Sequence, residues 1–180
     1  MNIRPISLHH HEVTQVAQLL VDGFAGISSA WPNLDVAREE VLEYSSDSHI
    51  SLVAVCDERV CGWASATPQY QQFGWELHPL VVAPQKQRQG VGSALVVALC
   101  NALAERGATT LFAWSDDEGA HTSLGNVNLL PNPLEHLQHF SSSDHHAGGF
   151  YLKMNFHLCG VLPNANGIGK PDILFVRAIQ

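Results

Sequence analysis

The sequence predicts a mixed α/β fold in a single domain, residues 1–180, and three observations predict it. Apolar residues recur at helical spacing over Glu12 to Phe24. Two β-branched apolar runs, Ser51 to Cys56 and Val60 to Thr67, are joined by Asp57-Glu58-Arg59 as in a hairpin. A long apolar helix face runs from Gly90 to Arg106. A chain of 180 residues fits one core. With 46% hydrophobic and 14% charged residues, it has enough apolar surface to fold throughout and too few charges for a disordered tract.

Asn2 to Ser7 reads as a short opening strand, and in the helix that follows Val13, Val16, Ala17, Leu19 and Leu20 form the inward stripe. The Trp31-Pro32-Asn33 turn ends that region. Asp35 is placed to cap a second helix through Tyr44, with Val36, Val41 and Leu42 inward and Glu39, Glu40 and Glu43 outward. Trp75 to Val82 makes a strand after the hairpin, interrupted by Pro79. In the helix from Gly90 to Arg106, Val91, Ala94, Leu95, Ala98, Leu99, Ala102 and Leu103 share one face and Gly107 supplies the stop. Thr109 to Trp114 returns as a strand. Ser115 to Gly149 is polar, rich in histidine and broken by Pro131 and Pro133, so it reads as a long loop with room for one short helix. Phe150 to Phe156 is a short helix, His157 to Leu162 a strand, and Asp172 to Ile179 a closing strand after the Gly167 to Pro171 turn. There is no internal repeat and no linker.

The 17 acidic against 9 basic side chains argue against a nucleic-acid surface and suit a cationic partner. Met1 to Pro5 leads into polar sequence, and no later run is long and apolar enough for a membrane span, so the expectation is a cytoplasmic chain without membrane contact. Cys56, Cys61, Cys100 and Cys159 show no ligand spacing, and free buried thiols are expected rather than a disulfide. His136 and His139, with Asp144, His145 and His146 behind them, are zinc-binding types, but no pattern fixes a fourth ligand and no metal is expected. His9 to His11 read as a polar start to the first helix.

The chemistry concentrates between Trp75 and Leu95. A strand broken by Pro79 leads through a basic turn to Gln87-Arg88-Gln89-Gly90-Val91-Gly92 at the mouth of the long helix. A helix start exposes unpaired NH groups and a positive dipole end, and two glycines there let a pyrophosphate approach the backbone, with Lys86 and Arg88 as counter-charge. A dinucleotide fingerprint is disfavoured, because Leu95 stands where its third glycine belongs and Ala83 to Gln89 separate strand from helix. The plainer alternative is that Gly90 and Gly92 merely begin a helix.

Gln87, Gly90 and Gly92 match the defining positions of the acetyl-coenzyme A loop of the GCN5-related acetyltransferases, and the segment resembles that family. The resemblance implies a central, mostly antiparallel sheet opened at a bulged, splayed strand and flanked by helices. It implies that Leu80, Val81, Val82, Gln87, Arg88, Gln89, Gly90, Val91, Gly92 and Ser93 hold acetyl-coenzyme A, with the Leu80 NH polarising the thioester carbonyl. Pro79 cannot donate a ladder hydrogen bond, which independently argues for a local break. Pro68-Gln69-Tyr70, Gly74 to Val82, and Gly160-Val161-Leu162-Pro163-Asn164-Ala165-Asn166-Gly167 with Lys170-Pro171-Asp172 narrow the likeness to the aminoglycoside 6'-N-acetyltransferases over most of the chain, with Asn126 to His146 most divergent.

That narrower resemblance implies Glu76 as general base, with His78 beside it to order a water; residues two apart on a strand share a face, so the two can reach one cavity. It implies Tyr151 as the group that protonates the departing thiolate or lies against the sulfur. Where the family has glycine shortly after this tyrosine the chain has Asn155, which tolerates the left-handed conformation. Trp31, Tyr70, Trp75, Glu76, Asp116 and Asp117 are implied contacts for a polycationic drug, and a homodimer is implied as the assembly. The alternatives are an exposed strand glutamate, a core histidine, a core tyrosine and a solvated acidic turn. No cysteine sits beside a base in any motif, so direct transfer in a ternary complex is expected rather than an acyl-enzyme. Rival functions are acetylation of another amine, such as a polyamine, a small metabolite or a protein amino terminus, and drug binding without turnover.

Overall fold

The apolar stripe near the N-terminus becomes helix α1 (His10–Phe24), and Val13, Val16, Ala17, Leu19 and Leu20 are all buried. The computed structural model describes residues 1–26 and 30–180. The second helix, α2 (Leu34–Glu43), begins two residues earlier than the sequence predicts. Asn33, not Asp35, is its cap, and the Asn33 side chain accepts from the Asp35 and Val36 NH groups at 3.0 Å each. The buried stripe is then Ala37 and Val41, one turn apart, which leaves Val36 and Leu42 exposed rather than inward.

The hairpin forms from β2 (Ile50–Cys56) and β3 (Arg59–Tyr70), with Asp57 and Glu58 at positive φ as a tight two-residue turn requires. This hairpin also overturns the cysteine expectation. Pairing Cys56 with Arg59 brings the Cys56 and Cys61 Cα atoms to 5.9 Å, within disulfide range, and the two are joined. Cys100 and Cys159 stand outside that disulfide, the first buried and the second exposed.

The remaining elements are β1 (Asn2–Pro5), β4 (Gly74–Val82), α3 (Val91–Glu105), β5 (Thr110–Asp116), α4 (Pro133–Gln138), α5 (Gly148–Lys153), β6 (His157–Leu162) and β7 (Asp172–Ala178). Among the described residues, seven strands make a mostly antiparallel sheet in the order β1-β2-β3-β4-β5-β7-β6. The chain divides into two compact units, Met1–Leu111 with Ile179–Gln180, and Phe112–Ala178.

In the first unit the register of β4 decides which side chains reach which face. Between Ala64 and Ala66 strand β3 advances two residues, while β4 runs from Leu80 to Leu77, so β4 carries an extra residue at His78-Pro79. Such a bulge reverses the facing of every side chain beyond it. Trp63 and Val81 are paired and pack with α1 and α2, as do Val16, Leu20 and Val41. Thr67 and Glu76 are also paired, and by the alternation of β3 they lie on that same α1–α2 side. Trp75, Leu77 and Leu80 therefore face the α3 side. Gly62 on β3 permits that approach, since a Cβ there would stand 3.0 Å from Leu95 Cδ1 and from Val91 Cγ1.

In the second unit, α5 starts and ends earlier than the sequence predicts, and Phe156 lies beyond it, buried with Ile173 and Phe175. Asn155 has φ 61°, the left-handed conformation expected of it. Strand β5 runs two residues past Trp114, so Asp116 ends the strand instead of following it. The segment after it is mostly loop, tied by a bridge between Thr122 and Ser142 and containing α4. Among the described residues no helix is long and apolar enough to cross a membrane.

Candidate active site

Glu76 is half-buried on β4, and Gln69, two residues on from its cross-strand partner Thr67, donates through Nε2 to Glu76 Oε2 at 3.0 Å. The buried Thr67 hydroxyl has no hydrogen-bond partner among the described residues. His78 meets α2: its Nε2 lies 3.1 Å from Glu40 Oε1, and its ring sits 5.0 Å from Tyr44 and 6.1 Å from Trp31 between centroids. Burial pushes the Tyr44 hydroxyl above its usual range, and the negative charges of Glu40, Glu43 and Glu76 push it the same way. The result is an acidic recess bearing a carboxylate on a rigid strand, suited to a cation and to taking a proton from it.

The facing of β4 sorts the other aromatic residues. Trp31 belongs to this recess, 4.5 Å from Phe24 and beside His78. Tyr70 is exposed at the end of β3. Trp75 is not on the Glu76 face: it is buried, its indole NH donates to the Gln72 carbonyl at 2.9 Å, and Arg106 lies over its ring at 5.6 Å. Trp75, an expected drug contact, therefore packs on the face opposite Glu76, because adjacent strand residues point to opposite faces.

Beyond the bulge, Leu80, Val81 and Val82 lead into a 3₁₀ turn at Pro84–Lys86. Gln87 Nε2 donates back to the Val82 carbonyl at 3.2 Å and Gln89 Nε2 to the Gln85 carbonyl at 2.8 Å, which fixes the loop on the strand end. Arg88 is at φ 58°, and Gly90, the helix cap, is at φ 85°, a conformation that favours glycine. No side chain caps α3, and the first intrahelical bond is Ala94 NH to Gly90 at 3.0 Å. The NH groups of Val91, Gly92 and Ser93 thus face out of a 15-residue helix with the positive end of its dipole. This arrangement fits phosphate oxygens. Lys86 Nζ is 3.6 Å from Asp57, so part of its charge is already answered.

In the second unit the expected residues separate by environment. Asp116 is exposed and accepts from Asn166 Nδ2 at 2.6 Å. Asp117 is buried, and its carboxylate accepts from the His121 NH at 2.6 Å, the Thr122 NH at 3.0 Å and the Thr122 hydroxyl at 2.6 Å. These bonds anchor the loop and occupy the carboxylate that was expected to contact the drug. Tyr151 is buried, stacked on Phe175 at 5.3 Å and tilted against Phe156 at 5.3 Å; burial pushes its hydroxyl far above its usual range, so it keeps its proton. His146 is buried with Nδ1 accepting from the Gly148 NH at 2.9 Å, and burial holds it below its usual range. No group of three or more ligating side chains that could hold a metal is found among the described residues.

Three residues of the recess lie outside the set drawn from sequence, Tyr44, Thr67 and Gln69, whereas Glu40 was one of three helix glutamates, with Glu39 and Glu43, that could line a cleft or merely form a solvated face. Thr67 and Gln69 belong there through the β3–β4 register, which the bulge fixes and no single-strand pattern reveals. Glu40 looks like Glu39 and Glu43 in sequence, and only the helix's actual starting point separates them.

A model of the acetyltransferase (GNAT) family matches residues 14–124. The chain is similar to a solved aminoglycoside 6'-N-acetyltransferase complexed with coenzyme A, at 31% identity and a TM-score of 0.92, covering 100% of this chain and 98% of that one. It is likewise similar to the aminoglycoside 6'-N-acetyltransferase from Enterococcus faecium, at 31% identity, a TM-score of 0.91 and the same coverage. A ribosomal-protein-alanine N-acetyltransferase from Brucella melitensis, at 17% identity, a TM-score of 0.64 and 99% coverage of each chain, shares the fold. No curated protein matches the chain.

Proposed function

The chain belongs to the acetyltransferase (GNAT) family, and on that footing we propose that it transfers the acetyl group of acetyl-coenzyme A to the 6'-amino group of aminoglycoside antibiotics. The observation that carries this reading is similarity at 31% identity, over 100% of the chain, to enzymes of that specificity. The acidic recess around Glu76 supports it, since it gives a polycation both attraction and a proton acceptor.

In this reading the uncapped start of α3, with Gln87, Arg88, Gln89, Gly90, Val91, Gly92 and Ser93, takes the pyrophosphate of acetyl-coenzyme A, and Leu80, Val81 and Val82 take its pantetheine arm. Glu76 removes a proton from the substrate ammonium, directly or through a water ordered by His78. The freed amine nitrogen bonds to the thioester carbonyl carbon, the Leu80 NH stabilises the oxygen as it gains charge, and the carbon–sulfur bond breaks. Tyr151, which keeps its proton until the carbon–sulfur bond breaks, gives it to the leaving sulfur and regains one from the second proton that the nitrogen loses as the amide forms. Trp31, Tyr70 and Asp116 contact the drug, and Asp117 holds the loop behind Asp116. The same proposal covers a single acetyltransferase domain acting as a homodimer in the cytoplasm and conferring aminoglycoside resistance.

The reading is tested by following thiol release from acetyl-coenzyme A with an aminoglycoside, a polyamine and an alanine-terminated peptide as competing acceptors. Turnover is expected with the aminoglycoside first. Preference for either other amine, or drug binding without thiol release, contradicts it. Gly92→Asp should weaken acetyl-coenzyme A binding by placing a side chain and a negative charge at the helix start; unaltered affinity would remove the phosphates from that site.

A further inference from the structure

We infer that Glu40 is a positioning residue for His78: it fixes the imidazole so that its Nε2–H is committed to a carboxylate and Nδ1 is the nitrogen left to serve a water or the acceptor amine. The inference rests on the acetyl-transfer reading above and goes beyond it, because it assigns a task to a residue on α2 that the family-like motifs do not contain.

Three observations carry it. Glu40 Oε1 is 3.1 Å from His78 Nε2, and the Glu40 side chain is only 21% exposed, so the contact is partly shielded from water. His78 sits at the residue where β4 bulges, and its ring is bounded by Tyr44 at 5.0 Å and Trp31 at 6.1 Å, so the carboxylate, the phenol and the indole together limit its rotation. Finally, Glu40 lies close enough to the neighbouring Tyr44 for its charge to add, with those of Glu43 and Glu76, to the upward push that burial gives the Tyr44 hydroxyl. A carboxylate bonded to one imidazole nitrogen selects the tautomer and so decides which nitrogen can accept a proton. Here Nε2 must carry hydrogen to satisfy Glu40, and the lone pair falls to Nδ1. The titratable groups that meet the ring include Glu40 and Tyr44, from α2 and its end.

The test joins a spectroscopic and a kinetic measurement on the whole protein. In proton NMR at low temperature, the wild type should show a ring N–H resonance that is lost in His78→Asn and also in Glu40→Ala. In thiol-release assays Glu40→Ala should lower kcat by about tenfold, a fraction of what a positioned base supplies, with the KM for acetyl-coenzyme A unchanged. In a His78→Asn background the same substitution should have no further effect, and Glu39→Ala, exposed on the same helix, should be silent throughout. A Glu40→Ala defect of equal size with and without His78, or a ring N–H that survives Glu40→Ala, overturns the inference. If the wild type acetylates no aminoglycoside, the functional reading fails, while the N–H resonance still decides whether Glu40 holds His78.

Discussion

The strand pair β3–β4 with the start of α3, and the loop segment between β5 and α5, contain the same polar residue types and put them to opposite use. In the first, main-chain ladders and buried apolar faces supply the order, so Glu76 and His78 are left on the face of a rigid strand with a few side-chain partners. In the second, polar side chains themselves supply the order. Asp117 anchors the His121 and Thr122 NH groups, the Ser123 hydroxyl accepts from the Ser141 NH, and His146 accepts from the Gly148 NH. A carboxylate or imidazole is available for chemistry where something else holds the backbone.

The contrast is broken most severely at Glu76. Glu76→Gln should reduce turnover by roughly 10²-fold or more at neutral pH with acetyl-coenzyme A binding kept and Tm unchanged. Unaltered turnover would remove Glu76 from the mechanism. Asp117→Ala should do the reverse, costing about 3 kcal/mol, roughly 6–12 °C in Tm, because three donors lose a buried carboxylate. Equal Tm values would return Asp117 to the solvated turn.

These two residues also mark what was legible in the sequence. The hairpin, α1, α3 and the strand around Pro79 were readable because each repeats an apolar pattern at a fixed period, and the Gln87 to Gly92 turn because its glycines have a backbone reason to be there. Asp116 and Asp117 are neighbours of identical chemistry, and nothing local distinguishes the one that ends exposed beside Asn166 from the one that ends buried. That difference is set by where β5 stops. The facing of Trp75 was not legible for a related reason: a motif names residues, whereas strand alternation and the bulge decide which face each reaches. The Cys56–Cys61 link depended on hairpin geometry that the spacing of the two cysteines does not reveal.

Tyr151→Phe sharpens the comparison from the second unit, since a buried hydroxyl among aromatic rings is tested there for chemistry. Turnover should fall by about 10²-fold or less, little change should appear in drug KM, and the deficit should shrink with an acyl donor whose thiol is more acidic. A deficit equal for both donors would leave Tyr151 as a packing residue. The smallest effect concerns His146. Burial holds it below its ordinary range, so on acidification the unfolded chain binds the proton first; the stability present above about pH 6.5 declines as pH falls through that window. Between pH 7.5 and 5.5 Tm should drop by roughly 2 °C more in the wild type than in His146→Asn. Parallel slopes would show that other groups govern the acid limb.

The most direct measurement compares two aminoglycosides that differ only in carrying a 6'-amino or a 6'-hydroxyl group, each assayed for thiol release from acetyl-coenzyme A. The account predicts saturable turnover with the amino compound and, with the hydroxyl compound, release no faster than without drug. Equal release from both, or none from the amino compound while it binds, would contradict it.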